Sequence, residues 1–218
     1  MKIYLCRILF FVLFFIPLFS SAQYYSLGQD PGSTKWRQIN SENFRLIYPQ
    51  QFEDKAHQFI NILEYSRKYV PVSLGVKVPK MPVVLHAQDI TANAFSVWAP
   101  RRLELYTAPP QSTYSQPWLE QLAIHEFRHS AQLSSMNTGI TKVMGYVLGE
   151  QVAAAVLGLY LPMWFIEGDA VSIETGLSKS GRGRVPSFNM EIRAQIMDKG
   201  HYSYDKSVNG SYRNYIPD

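Results

Sequence analysis

The sequence predicts an α+β fold, a strand-rich first half followed by a mainly helical second half. Three observations carry the prediction. Apolar residues alternate at period two in the first half; a Pro-rich break, "APPQSTYSQP", interrupts the chain; and after it the apolar spacing becomes helical to the end. The chain has 218 residues and is 46% hydrophobic, enough for one substantial core. No internal repeat or low-complexity tract is visible.

The first 22 residues are set aside from the fold. Lys2 and Arg7 precede the apolar run "ILFFVLFFIPLF", and Ser20 and Ala22 occupy the −3 and −1 positions of a cleavage site after Ala22. This is the pattern of a signal peptide, so the mature chain is expected to be exported, to a periplasmic, cell-envelope or extracellular location. A retained single anchor is the weaker alternative, since the run is shorter than the ~20 residues a bilayer core needs. Cys6, the single cysteine, lies within these 22 residues, so residues 23–218 carry no thiol and no disulfide. The formal charge is +4, of which Lys2 and Arg7 contribute two. The remainder is too small to argue for a nucleic-acid partner.

Residues 23–218 read as one domain with a strand-rich half over 23–115 and a helical half over 116–218. In "ENFRLIYP", Phe44, Leu46 and Tyr48 alternate up to Pro49, which predicts a strand. Ala56, Phe59, Ile60 and Leu63 then recur at helical spacing, with Arg67 and Lys68 in the last turn before Pro71. "MPVVLHAQ" and "RRLELYTA" read as two further strands, separated by "DITANAFSVWAP". The next helix has Ser115 as a candidate N-cap, Pro117 in its first turn and Glu120 where the helix dipole favours negative charge.

That helix carries "LAIHEFRHSAQ", in which Trp118, Leu122, His125 and His129 fall on one stripe. Histidines at i and i+4 reach one ion from a single rigid element. Catalytic zinc takes three protein ligands and leaves a fourth position open. Glu126 lies about 100° round the helix from His125, out of reach of the ion but beside that open position, where a general base belongs. A third ligand is expected downstream, and "LPMWFIEGDAVSIET" offers Glu167 after Pro162 has reset the chain for a new helix. An acidic group in so apolar a run is costly to bury unless paired or bound to a cation. Glu174, seven residues on, returns to the same face. It is either a hydrogen-bond partner for a ligand histidine or an ordinary solvated glutamate.

H-E-x-x-H followed by W-x-x-E-G-x-A, with a further Glu seven residues beyond the first, resembles the gluzincin metallopeptidases of the broad MA clan, which includes the M1 aminopeptidases. The resemblance covers about residues 118–175. It implies a zincin-like α+β fold, Zn2+ held by His125, His129 and Glu167, Glu126 as general base, and a peptide or protein substrate. The spacing departs from the M1 pattern: residues 130–166, 37 in all, separate His129 from Glu167, where that pattern has a shorter connection. The extra material includes the apolar stretch around 143–161. A single membrane span there would put Glu167 roughly 30 Å from the histidines, whereas ligation needs about 2 Å. Glu150 and Gln151 argue the same way. The stretch is therefore expected to form a buried helix or hairpin beside the active-site helix, with a membrane-facing flap as the alternative.

The resemblance also implies an edge strand that binds substrate backbone, for which Ala94 and Phe95 are the candidates, against an ordinary hairpin with core aromatics. It implies an oxyanion partner, for which the tail offers Tyr202, Tyr204, Tyr212 and Tyr215, the last two carried forward as candidates. It further implies a helical lobe after the glutamate ligand, and in some exported relatives additional C-terminal domains such as a β-propeller. The "SKSGRGR" segment, with Arg182 and Arg184 between glycines, reads as a surface loop or a grip for an acidic substrate group. Arg128 is expected to face away from the metal and pair with a carboxylate behind it. Asp169 is expected to point elsewhere than the metal, and His57, His86 and His201 to be surface or structural. A competing reading is a non-catalytic gluzincin-like module for binding or envelope assembly within a larger surface protein.

Overall fold

The computed structural model describes residues 30–90, 92–98, 100–110, 116–149, 151 and 161–209. The signal-like N-terminus, Ser115, most of the apolar stretch after Gly149, Tyr212 and Tyr215 lie outside the described residues. The chain is mixed α/β, with a five-stranded mixed sheet and six helices among the described residues.

Strand β1 (Trp36–Asn40) pairs antiparallel with β2 (Phe44–Pro49). Helix α1 (Glu53–Tyr69) crosses over to β3 (Met81–His86), which lies parallel to β2. The chain then runs out to β4 (Ala94–Trp98) and returns as β5 (Arg101–Tyr106) between β4 and β3, so the sheet order is β1-β2-β3-β5-β4. β5 is parallel to β3, and β4 is the antiparallel edge strand.

The period-two alternation turns one set of side chains inward: Phe44, Leu46 and Tyr48 from β2, Val83 and Leu85 from β3, Leu103 and Leu105 from β5. Ala56, Phe59, Ile60 and Leu63 of α1 close over them. Glu53 and Asp54 in the first turn of α1 and Arg67 and Lys68 in its last turn match the helix dipole. Helix α2 (Trp118–Met136) joins the same core through Leu122, Ala123, Ile124, Phe127 and Ala131, with the Phe127 ring edge-on to Phe44 at 5.5 Å. Pro117 stands at its N-cap position, and the Trp118 indole N–H donates to Tyr106 O at 2.9 Å.

Beyond α2 come α3 (Gly139–Leu148), α4 (Met163–Leu177), α5 (Met190–Lys199) and α6 (Tyr204–Asn209). α3 departs from the expected buried insertion: none of its residues is buried, and Tyr146 and Val147 are 82% and 73% exposed. Ile140, Val143, Met144 and Val147 recur at helical spacing and mark one apolar face, but a period does not say whether anything covers that face. No helix among the described residues is long and apolar enough to cross a membrane.

Candidate metal centre

One turn of α2 sets the His125 and His129 rings edge-on, their centroids 4.8 Å apart, with Nε2 to Nε2 at 3.2 Å. Glu167, on the second turn of α4, brings Oε2 to 3.3 Å from His125 Nε2 and Oε1 to 3.5 Å from His129 Nε2. A tetrahedral ion with bonds of about 2.0–2.1 Å has ligand-to-ligand edges of about 3.3–3.4 Å. The two nitrogens stand at about that separation, each faces a different oxygen of Glu167 at a similar distance, and one ligand atom from each of the three residues lies within 4.8 Å of the others. Among the described residues this is the one group of His, Cys, Asp or Glu side chains close enough to hold a metal ion.

No protein-family model, curated protein or solved structure matches the chain.

Glu167 is brought to the histidines by polar contacts between α2 and α4. Arg128 turns away from the ligands and pairs bidentately with Asp169, Nε to Oδ2 at 2.6 Å and Nη2 to Oδ1 at 2.7 Å. Its Nη1 donates to Val70 O and to Ser73 Oγ, both at 2.8 Å, tying the end of α1 into the same junction. Gln132 donates to Ile166 O at 2.9 Å and to Asp169 Oδ2 at 2.6 Å, while its Oε1 lies 2.9 Å from His129 Nδ1. The amide thus orients one ligand ring while gripping the turn that carries Glu167.

His125 is backed differently. Its Nδ1 lies 3.3 Å from Oε2 of Glu174, which is fully buried, and 2.7 Å from Arg182 Nη2. A guanidinium can only donate. When Nε2 binds a cation the ring proton sits on Nδ1, and Glu174 is the neighbour able to accept it.

The charges follow from this packing. Burial opposes a charged imidazole at His125, but the Glu167 and Glu174 carboxylates outweigh it and push the pKa up to about 9. Hydrogen bonds from His125 and His129 hold the Glu167 carboxyl well below its usual range. Burial pushes Glu126 up, against the pull of the two histidines. Burial also acts to raise Glu174, but hydrogen bonds to His125 and Arg182 prevail and lower it. The ligand atoms thus favour a positive charge between them, which a proton or a divalent cation can satisfy, so cation binding here competes with protons.

Glu126, His125, His129 and Glu167 line a cavity of about 560 Å³, and Ala94, Phe95 and Ser96 of the edge strand form part of its wall. Ser96 Oγ and Ser130 Oγ lie 2.8 Å apart, fixing β4 beside α2. Leu133, Met136, Met163 and Ile166 make another part of the wall apolar. The candidate substrate strand is therefore an edge strand next to the triad.

Of the candidate oxyanion tyrosines, Tyr212 and Tyr215 lie outside the described residues. Tyr202 and Tyr204 are off the cavity wall: Lys206 stands over the Tyr202 ring, and Tyr204 packs edge-on against Trp164. His57 is exposed beside Glu53, His201 is exposed, and His86 meets Asp30 at 2.5 Å and stacks on Tyr106. Two participants escaped the sequence reading. Gln132 gives no signal beyond a polar residue one turn after His129. Arg182 reads as part of a surface loop, yet it reaches the cavity wall and pairs with Glu174 rather than standing free for an acidic substrate group.

Proposed function

We propose that the chain is an exported zinc metallopeptidase of gluzincin type, with a zincin-like fold, hydrolysing peptide bonds in a peptide or protein substrate. One observation carries the reading: a His-His-Glu group whose ligand atoms lie within 4.8 Å of one another, with a buried carboxylate, Glu126, on the adjoining helix position and an open cavity in front. Two imidazoles and a carboxylate suit zinc and leave a position open for chemistry.

When bound, zinc supplies Lewis-acid polarisation of the scissile carbonyl and lowers the pKa of water toward about 7. Glu126 takes the proton of the attacking water and returns it to the leaving amine nitrogen. Burial raises its proton affinity, as this shuttling needs. The edge of β4, unpaired among the described residues, aligns an extended substrate by main-chain hydrogen bonds, placing a peptide bond over the triad. Glu174 and Gln132 hold the two ligand rings, so little reorganisation is required at reaction.

The competing reading, a non-catalytic module for binding or envelope assembly, is favoured by the exposed apolar residues of α3 and of the start of α4, Met163, Trp164 and Phe165. A purely structural site, however, has no use for a base at Glu126. The deciding experiment measures metal content and cleavage of a mixed peptide library by residues 23–218 and by its Glu126→Gln variant. Stoichiometric zinc in both, with cleavage only in the parent, is expected. Zinc without cleavage in either favours the binding module, and absence of zinc rejects the site.

A further inference from the structure

We propose that Arg182, presented by the Gly181-Arg182-Gly183 turn, is a positioning residue for the metal centre that fixes the buried Glu174 carboxylate and, through it, the His125 imidazole. The inference rests on the metal reading above and adds to it an element outside both ligand-bearing motifs.

The turn is built to lie where it does. A Cβ on Gly181 would stand 2.6 Å from Thr175 Cα and 2.8 Å from Glu174 O, both backbone atoms that cannot move without shifting α4. A Cβ on Gly183 would stand 2.7 Å from Thr175 Oγ1, the same hydroxyl that accepts the Gly183 N–H at 3.0 Å. Arg184 adds donors to Thr175 O and Ser178 O, at 3.0 and 3.3 Å. The glycines permit close approach of the turn to the last part of α4 rather than loop freedom.

That approach delivers Arg182 to Glu174 and to the His125 ring behind which Glu174 lies, His125 Nδ1 being 2.7 Å from Arg182 Nη2. Its backbone N–H donates to Glu174 Oε1 at 3.0 Å, Nη2 to Oε2 at 2.8 Å, and Nε lies 3.1 Å from Oε2. Glu174 has no solvent exposure, and a buried carboxylate deprived of these donors is no longer held in place. Its displacement removes the acceptor that orients His125 from behind. Arg182 lines the cavity, but its charge is matched by Glu174, which argues for positioning and against capture of a substrate carboxylate.

The test compares zinc dissociation constants, by competition with a chromophoric chelator, for residues 23–218 and the variants Arg182→Ala, Arg182→Lys, Gly181→Ala and Arg184→Ala. Each is measured below the melting temperature of the zinc-free protein. Loss of an outer partner of a zinc ligand weakens metal binding about 10- to 100-fold. Arg182→Ala and Gly181→Ala are expected in that range, the second with every charge intact. Arg182→Lys recovers part of the affinity, since an ammonium reaches one oxygen without the planar fork. Arg184→Ala, which grips the turn but touches neither Glu174 nor His125, stays within about threefold of the parent. Equal affinity in parent, Arg182→Ala and Gly181→Ala overturns the proposal, as does an Arg184→Ala loss as large as that of Arg182→Ala. If Arg182→Ala does not fold, Gly181→Ala and Arg182→Lys decide alone. Absence of zinc in the parent overturns both this proposal and the metal reading. Zinc without peptidase activity rejects the enzymatic reading and leaves this one standing on the affinities.

Discussion

Helices α1 and α4 both pack against α2, and they do so by opposite means. α1 buries Ala56, Phe59, Ile60 and Leu63 in the sheet core. α4, nearly as long, buries only Ala170 and Glu174, while Met163 and Phe165 are at least half exposed and Trp164 nearly so. What holds α4 is the set of contacts from Arg128, Gln132 and Arg182. Apolar burial is strong but non-directional. Hydrogen bonds contribute less, about 0.5–1.5 kcal/mol each, but they fix angle and register. The molecule uses the first to build its scaffold and the second to place Glu167 against two histidines.

This contrast is broken most severely from the apolar side. Phe127→Ala, at a position with no solvent exposure, is expected to cost about 3–5 kcal/mol, with sheet and site lost in one denaturant transition. Arg128→Met removes the bidentate partner of Asp169, which keeps Gln132, and the donor to the Val70 carbonyl, and is expected to cost about 3 kcal/mol. Its signature is different: amide exchange should rise in α4 while β2, β3 and β5 stay protected, and uniform loss of protection would contradict the distinction.

A smaller effect tests polar anchoring inside the scaffold. Glu64 receives Ser41 Oγ at 2.6 Å and Asn43 Nδ2 at 2.7 Å. Burial acts to raise its pKa, but these hydrogen bonds prevail and hold it below its usual 4.5. A folded pKa below the unfolded one means that this stability is present above about pH 4.5 and is lost as pH falls through the depressed folded value. Glu64→Gln should therefore flatten that part of the acid-unfolding curve and leave it unchanged near neutrality apart from a constant offset. Smallest of all, Val143→Ser on exposed α3 should change stability by no more than about 0.5 kcal/mol.

The same contrast explains what the sequence made legible. Phe44, Leu46 and Tyr48, then Ala56, Phe59, Ile60 and Leu63, announce β2 and α1 because one buried face imposes a period on the chain. β1 was missed because Trp36–Asn40 is an exposed edge strand with no buried face to write a pattern. The His125–His129 pair was legible because one helix turn fixes its spacing locally. Gln132 and Arg182 were not, because their partners are set by tertiary approach: nothing local to "GRG" says that Glu174 lies beneath it. α3 misled in the opposite sense, since its apolar composition suggested burial that the described structure does not provide.

The central claim is that His125, His129 and Glu167 form one metal site, and X-ray absorption at the zinc edge tests it most directly. The account predicts one zinc per chain with two imidazole nitrogens at about 2.0–2.1 Å and oxygen neighbours at about 2.0–2.2 Å. One imidazole should be lost in His129→Ala. A zinc signal unchanged in that variant, or no stoichiometric zinc in the parent, would contradict it.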